Sequence, residues 1–458
     1  MDRKLPFSSL VVIGTMLFAL FFGAGNLIFP AQLGQAAGTN FWPAVIGFLI
    51  TGVGLPFLGI LAIGFSGSAN LQDLASRIHP LYAVLFTSVL YLTIGPFFAA
   101  PRTGAVAFDI GIVPFLNGAD PLIPRFIFTA LFFGITIWLS LNPQKIADRV
   151  GKFLSPAIII LLLLLLSVAL FSPMGSFQAP TSTYLSGAFG KGFTEGYNTM
   201  DALASLVFGI IVITIVRSMG VKSKKGIVAA TFKTGFVAAG FLGVLYVGIA
   251  YLGASSVQSL GMLDSGGAVL TSVATHYFGQ AGLVLLGVVI LLACLTTSVG
   301  LMTACGEYFH TLIPAVSYKA IVLSFTVFCF IVSNIGLSNI ITYSIPVLLF
   351  LYPLAITLML LTFVSPLFGH ARIVYVAVTV VAMLISIVDG LSALADTLPG
   401  SKLENVLEPI VTFYSKVLPL YENGLGWLLP SLIVIVVFGT IARVTGMSSQ
   451  PAVNTENE

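Results

Sequence analysis

The residues with the clearest chemical potential in this sequence are small or polar groups placed inside long apolar runs. The first such stretch reads GAGNLIFP, in which Gly23, Gly25 and Asn26 precede Pro30. Glycine and proline weaken a helix, and a loosened helix leaves backbone N–H and C=O groups without partners. In hydrocarbon such groups persist only where protein or a ligand supplies partners, which indicates a binding site. Close helix packing through small residues is the alternative.

A second stretch, GYNTMDALASLVFG, carries Asp201 and, four residues later, Ser205. If this segment is helical, the two lie roughly 6 Å apart along its axis. Ser205 is expected near the middle of the membrane, so Asp201 would lie only that distance from the middle. A carboxylate so deep in a membrane is costly unless it is paired. Asp201 therefore either handles a ligand or a proton, or has a structural pairing or helix-capping role.

The third stretch, ACLTTSVG, places the hydroxyls of Thr296, Thr297 and Ser298 in succession. A single threonine often bonds back to its own helix, but three adjacent hydroxyls point over a wide arc. Hydroxyls combined with freed backbone carbonyls form a weakly charged cage that suits a monovalent cation. Calcium would require several carboxylates, and none is close in sequence.

The composition sets the environment of these residues. The chain has 458 residues, of which 58% are hydrophobic and 8% are charged, whereas soluble domains carry about 25% charged residues. We therefore expect an integral membrane protein and exclude soluble enzymes and nucleic-acid-binding proteins. Three cysteines and four histidines without metal-binding spacing predict neither a disulfide framework nor a metal or haem cofactor.

The apolar runs predict an all-α membrane protein with twelve transmembrane helices, because each run is continuous and about 20 residues long. The predicted spans are 8–34, 41–65, 81–106, 122–141, 150–172, 193–217, 227–252, 280–309, 319–336, 340–364, 371–394 and 425–445. Together they form one membrane domain over 1–458, with a polar tail at 446–458.

The distribution of basic residues predicts the orientation. Alternating sides places fourteen Lys and Arg residues on one side and five on the other, so the first side, with both termini, is expected to be cytoplasmic. The long outside segment 395–424 has an apolar helical stripe. It either lies on the membrane surface or packs as a loop over the extracellular face, and Pro409 disfavours a long helix.

Topology also predicts an internal repeat. Five spans form an odd number, so a second block of five enters the membrane inverted, and spans one and six become equivalent. Repeat one then covers about 8–172, repeat two about 193–364, and the two extra helices about 371–445. Interruptions in equivalent spans point to a central site. We expect the weaker break in span six, which lacks proline.

Four motifs in this order, GAGNLIFP, GPFFAAPRTGAVAFD, EGYNTMDALASLVFG and YSIPVLLFLYP, resemble the bacterial branched-chain amino acid carrier family, and the resemblance runs over nearly the whole chain. It implies the leucine-transporter-type fold with a five-plus-five inverted repeat. It also implies a symporter of the bacterial cytoplasmic membrane that imports leucine, isoleucine or valine with a cation and needs no other cofactor.

The resemblance also implies site residues. Backbone groups of Gly23, Ala24 and Gly25 are expected to face the substrate carboxylate. The remaining residues expected at the substrate are Asn26, Asp201, Ser205 and Phe208. The implied sodium ligands are the carbonyls of Ala19, Phe22 and Ala293 with the hydroxyls of Thr296 and Thr297.

The sequence leaves alternatives for the role of Arg102 and for the identity of the coupling cation. Arg102, near the outer end of span three, is interpreted as a gate or a structural ion pair with Asp109 rather than as a ligand. The sequence leaves sodium and proton as alternatives, with Asp201 as the proton-linked residue in the second case.

Other functions are weighed against this one. A proton-coupled or exchange carrier for other apolar amino acids is the main alternative. A membrane-embedded enzyme would need a catalytic constellation at one depth, which the sequence lacks. A channel would favour a symmetric oligomer with a pore-lining filter over internal repeats in one chain.

Overall fold

The structure is a computed structural model that describes residues 5–116, 118–141, 155–398 and 402–447. Over these ranges the chain forms helices joined by turns and short loops, without a strand. The predicted all-α class is confirmed.

The helices follow one another along the chain. Those of the first part are α1 (Phe7–Phe21), α2 (Ala24–Ala37), α3 (Phe41–Leu49), α4 (Leu55–Ser66), α5 (Leu71–Ser76), α6 (Pro80–Leu92), α7 (Ala99–Gly111), α8 (Leu122–Ser140) and α9 (Ser155–Phe171). Those of the second part are α10 (Ser182–Leu185), α11 (Ala188–Glu195), α12 (Asp201–Ser218), α13 (Lys224–Leu260), α14 (Gly266–Leu312), α15 (Tyr318–Ser333), α16 (Leu337–Val364), α17 (Arg372–Asp396), α18 (Lys402–Val417) and α19 (Leu428–Val444).

Within the described residues, eight helical runs are long and apolar enough to cross a membrane, and four shorter apolar helices accompany them. Helix α14 is interrupted at Gly279 (φ 59°), so its second part matches the predicted span 280–309. The count of twelve crossings and the five-plus-five repeat stay predictions.

Parts of the sequence-based predictions lie outside the described residues. These are the start of span 150–172, residues 448–458 of the polar tail, and the basic residues Arg3, Lys4, Lys145, Arg149 and Lys152.

Helix α2 packs closely against α13 and α14 through glycines. A Cβ added at Gly34 would collide with the carbonyl of Ala250, and one at Gly253 would collide with the carbonyl of Ala31. Small residues let backbones approach in this way, which compensates for the lack of a hydrophobic driving force inside a membrane. This packing holds α2, and with it the first helix break, in the interior.

The segment 395–424, which is predicted to lie outside, contains a helix, α18, that continues through Pro409. Leu407 is buried, whereas Val406 and Phe413 are exposed on the surface. The helical stripe predicted for this segment is therefore present as a helix, and its position relative to a membrane stays a prediction.

Candidate functional site

The first predicted break is present. Helix α1 ends at Phe21, α2 begins at Ala24, and Gly23 between them is extended (φ −124°, ψ −152°). The amide of Gly23 donates to Oδ1 of Asn26 (3.0 Å), so the asparagine side chain closes the break. Pro30, one turn further on, has no amide to offer to the Asn26 carbonyl.

The break in the sixth span is more complete than expected. Helix α11 runs into a 3-10 turn over Gly196–Thr199, and α12 begins only after Met200, which has a left-handed conformation (φ 64°). A non-glycine residue in this region is strained and persists only when its surroundings hold it. The expectation of a weak break was therefore wrong: a left-handed residue replaces proline as the helix breaker.

Side chains join the two breaks. Nδ2 of Asn26 donates to Oδ2 of Asp201 (2.5 Å), and the hydroxyl of Tyr246 on α13 donates to the same oxygen (2.7 Å). Asn26 also donates to the Tyr246 hydroxyl. All three side chains are buried, with at most 3% exposure. Asp201 starts α12, where the positive end of the helix dipole stabilises a carboxylate.

Arg102 lies in the interior rather than at an outer gate. Its side chain is 3% exposed. Nη1 donates to the carbonyl of Asn198 (2.7 Å) and Nη2 to that of Thr199 (3.4 Å), at the break before α12. The expected ion pair with Asp109 is wrong, because Asp109 lies 3.5 Å from Arg125 instead.

A narrow cavity of about 20 Å³, with room for about one water molecule, opens between these groups. It is lined by Leu20, Phe21, Gly23, Ala24, Gly25, Asn26, Ile94, Ala99, Arg102, Thr103, Thr199, Met200, Asp201, Ala204, Phe208, Thr297 and Leu301. Six of the seven residues expected at the substrate are in this lining. The lining combines apolar side chains with the polar side chains of Asn26, Arg102, Asp201 and three threonines.

Ser205 is the exception. Its hydroxyl donates to the carbonyl of Ala202 (2.7 Å), and a Cβ on Gly59 would collide with Oγ. The serine therefore faces α4, while Ala204 and Phe208 of the same helix face the cavity. We leave Ser205 out of the candidate site.

The threonines of α14 lie against the end of α1. Oγ1 of Thr296 donates to the carbonyls of Ala19 (3.0 Å) and Ala293 (2.8 Å). Oγ1 of Thr297 approaches the carbonyls of Leu20 (3.1 Å) and Ala19 (3.5 Å). Four of the five expected sodium ligands thus share one cluster, and the Leu20 carbonyl, which the sequence did not indicate, joins it.

The fifth expected ligand, Phe22, follows the last turn of α1. Its amide donates to the carbonyl of Phe18 (2.7 Å), and its ring stacks on that of Phe18. The Phe22 carbonyl thus belongs to the residue that caps the C-terminal end of α1.

The spacing of this oxygen cluster can be compared with the demands of an ion. With cation-to-oxygen distances of roughly 2.3–2.6 Å, ligand oxygens at right angles lie about 3.3–3.7 Å apart. The oxygens here are 2.8–3.5 Å apart because the hydroxyls donate directly to the carbonyls. An entering ion would replace these hydrogen bonds and spread the oxygens slightly.

Interrupted helices around a central, partly polar cavity define a class of protein, the membrane transporter built on discontinuous helices. The structure of MhsT in complex with L-phenylalanine is similar in fold to this chain: the TM-score is 0.58 at 16% identity, with 97% of this chain and 100% of MhsT covered. The leucine-transporter-type architecture implied by the motifs is confirmed at this level.

Sequence comparison identifies the family. The chain matches the family described as "Branched-chain amino acid transport protein" over residues 7–445, and it belongs to that family. The branched-chain amino acid permease BrnQ of Bacillus subtilis (strain 168) is 50% identical over 432 residues, covering 94% of this chain and 96% of BrnQ. The permease BraB of the same organism is 47% identical over 450 residues, covering 98% and 99%. The family is one of transport proteins and not of enzymes.

Proposed function

We propose that this chain is a symporter that imports leucine, isoleucine or valine across the bacterial cytoplasmic membrane, driven by a sodium gradient through alternating access. The observation that carries the proposal is the meeting of the two helix breaks, at Gly23 and Met200, around one cavity with a neutral oxygen cluster beside it. The names of its relatives support the substrate class, and the interrupted helices support the mode of transport.

The substrate site of this proposal lies between the breaks. The backbone of Gly23, Ala24 and Gly25 at the start of α2 offers amides to a carboxylate. Phe208 offers an apolar surface to a branched side chain, and Asn26 and Asp201 supply polar groups in the same lining. Pockets for small ligands commonly combine a largely apolar lining with a few placed polar groups.

The proposed sodium site is the oxygen cluster between α1 and α14 together with the carbonyl of Phe22 at the end of α1. Its ligands are the carbonyls of Ala19, Phe22 and Ala293 with the hydroxyls of Thr296 and Thr297. A cage of neutral oxygens at the open end of a half-helix suits a monovalent cation, since the half-helix end carries partial negative charge. Because Thr297 also lines the substrate cavity, an ion bound there would lie beside the substrate, which favours mutual stabilisation.

A proton is the second candidate for the coupling ion, and one observation favours it. Asp201 is a buried carboxylate in the cavity wall that forms hydrogen bonds with Asn26 and Tyr246 and no ion pair among the described side chains. A carboxyl group in such a place can exchange a proton as the site opens to either side.

The proposed architecture has twelve spans, a five-plus-five inverted repeat with two additional helices, and both termini in the cytoplasm. The presence of one helix break before α2, in the first predicted repeat, and of another before α12, in the second, supports the repeat. The excess of basic residues on one predicted side supports the orientation.

Uptake of labelled leucine into proteoliposomes tests the proposal. Sodium and proton gradients are imposed separately, and leucine, isoleucine and valine are compared with alanine as competitors. We expect accumulation under an inward sodium gradient. Accumulation only under a proton gradient would replace sodium by the proton, and absence of uptake under both would refute the symport mechanism.

A further inference from the structure

We propose that Arg102 binds the carboxylate of the transported amino acid, so that the cavity recognises a zwitterion between Arg102 and Asp201. This inference rests on the proposed function, because it assigns a role within the same cavity. It changes the sequence-based interpretation of Arg102 as an outer gate or structural pair.

The charge of Arg102 is buried, and the oppositely charged Asp201 acts on it only from beyond ion-pair distance. No carboxylate forms an ion pair with it among the described residues, and its Nε has no hydrogen-bond partner there. The guanidinium carries five N–H groups, of which the carbonyls of Asn198 and Thr199 engage two. A buried cation is costly unless it is compensated, so this cavity favours an anion.

The geometry of the guanidinium also favours a carboxylate ligand. The edge formed by Nε and Nη2 is the less engaged side of the guanidinium, since Nη1 makes the short bond, to Asn198 (2.7 Å). A Cβ placed on Gly25 would lie 2.8 Å from Nη2, so this edge lies directly against the first turn of α2. A carboxylate in this corner would meet two parallel N–H groups of Arg102 and the amides at the start of α2.

The Arg102 side chain is also held in place. Its guanidinium lies over the ring of Phe29, 5.4 Å from the centroid, and its hydrogen bonds to the 3-10 turn fix one edge. A cation over an aromatic face is stabilised without consuming its N–H groups. The arginine is therefore preorganised, and Nε on its less engaged edge has no hydrogen-bond partner among the described residues.

The negative charge of Asp201 completes the inference. Asp201 lines the same cavity, and the apolar side chains of Ile94, Phe208 and Leu301 lie in its wall. A buried cation and a buried anion that do not pair with each other match the two charges of an α-amino acid. The class of ligand that fits is an apolar amino acid with both its carboxylate and its ammonium group free.

The test compares three probes: leucine, leucinamide, which lacks the carboxylate, and 4-methylpentanoate, which lacks the ammonium group. Binding to the purified full-length protein is measured by isothermal titration calorimetry in saturating sodium. For Arg102→Gln we expect the affinities for leucine and 4-methylpentanoate to fall by about ten- to a hundredfold, since a charged hydrogen bond is lost. The affinity for leucinamide should stay unchanged or rise, because a repulsive charge has been removed.

Arg125→Gln is the matched control. Arg125 also lies over a phenylalanine ring, 5.3 Å from the centroid of Phe108, and has an Nε without a partner, but it pairs with Asp109 outside the cavity lining. It should bind all three probes as the wild type does. Arg102→Lys keeps the charge but loses the two parallel N–H groups of the guanidinium. It should fold and bind leucine with intermediate affinity, so it preserves the test if Arg102→Gln is unstable.

The outcomes separate this inference from the proposed function. Equal losses for leucine and leucinamide in Arg102→Gln, or in Arg102→Lys, would overturn the inference and show that Arg102 only supports the break before α12. Unchanged leucine affinity would overturn it as well. A wild-type protein that does not bind leucine would instead refute the proposed function, and this inference with it.

Discussion

Gly23→Ala is the change whose effect follows most directly from the geometry of the site. Gly23 has a negative φ, so an added methyl group creates no strain of left-handed backbone. It would, however, lie 2.8 Å from Oγ1 and 3.1 Å from both Cβ and Cγ2 of Thr297. A threonine side chain is short and branched at Cβ, and it cannot move its far end aside as a long side chain can.

The methyl group must therefore displace the Thr297 hydroxyl from the carbonyl of Leu20, 3.1 Å away. Overpacking of a well-packed interior costs about 1–3 kcal/mol, which corresponds to a loss of roughly five- to a hundredfold in affinity. We expect this loss in the apparent affinity for sodium. It is measured as the sodium dependence of leucine uptake in proteoliposomes at saturating leucine.

Two variants make the test specific. In Gly25→Ala the added methyl group meets Nη2 of Arg102 (2.8 Å), so leucine affinity should fall while the sodium affinity at saturating leucine is kept. In a Thr297→Ala background, Gly23→Ala should add little, because the atoms with which it collides are mostly gone. Additive effects of Gly23→Ala and Thr297→Ala on sodium affinity would refute the reasoning.

Four further substitutions test other contacts. Thr296→Ala should weaken apparent sodium affinity by about fivefold, since one oxygen ligand is lost, and unchanged sodium dependence would exclude that ligand. Asp201→Asn keeps a side-chain oxygen acceptor but removes the charge, so we expect inserted protein with uptake reduced by about tenfold or more; unaffected uptake would show that the charge is not used. Tyr246→Phe removes one hydrogen bond to Asp201 and should lower uptake by about fivefold, whereas wild-type uptake would show that the bond is dispensable. Gly253→Leu collides with the carbonyl of Ala31 in a packing contact and should reduce the amount of protein in the membrane, as measured by immunoblot; normal insertion would contradict this packing.

The parts of the site that could be predicted from the sequence are those with a local cause. Glycines next to an asparagine and a proline weaken a helix wherever it lies, so the break at Gly23 could be recognised without a structure. The hydroxyls of Thr296 and Thr297 are adjacent in sequence, so at least one had to face a neighbouring helix. The partner carbonyl of Ala19 required the resemblance to a known fold.

The parts that were missed depend on how helices pack. Tyr246 is one tyrosine in an apolar run, and nothing local distinguishes it from other buried aromatic residues. Arg102 was assigned to Asp109 by proximity in sequence, whereas packing pairs Asp109 with Arg125. Ser205 was expected at the substrate from the family resemblance, but the break at Met200 sets a register in which Asp201, Ala204 and Phe208 share the cavity face.

The central claim is that one cavity binds an amino acid and a cation that stabilise each other. Its most direct test is to measure the leucine Kd of the purified protein with and without sodium, and the sodium Kd with and without leucine. Linkage requires the two ratios to be equal, and we predict that each ligand tightens the other by the same factor, on the order of ten. A leucine Kd that is the same in sodium and in choline would contradict the account.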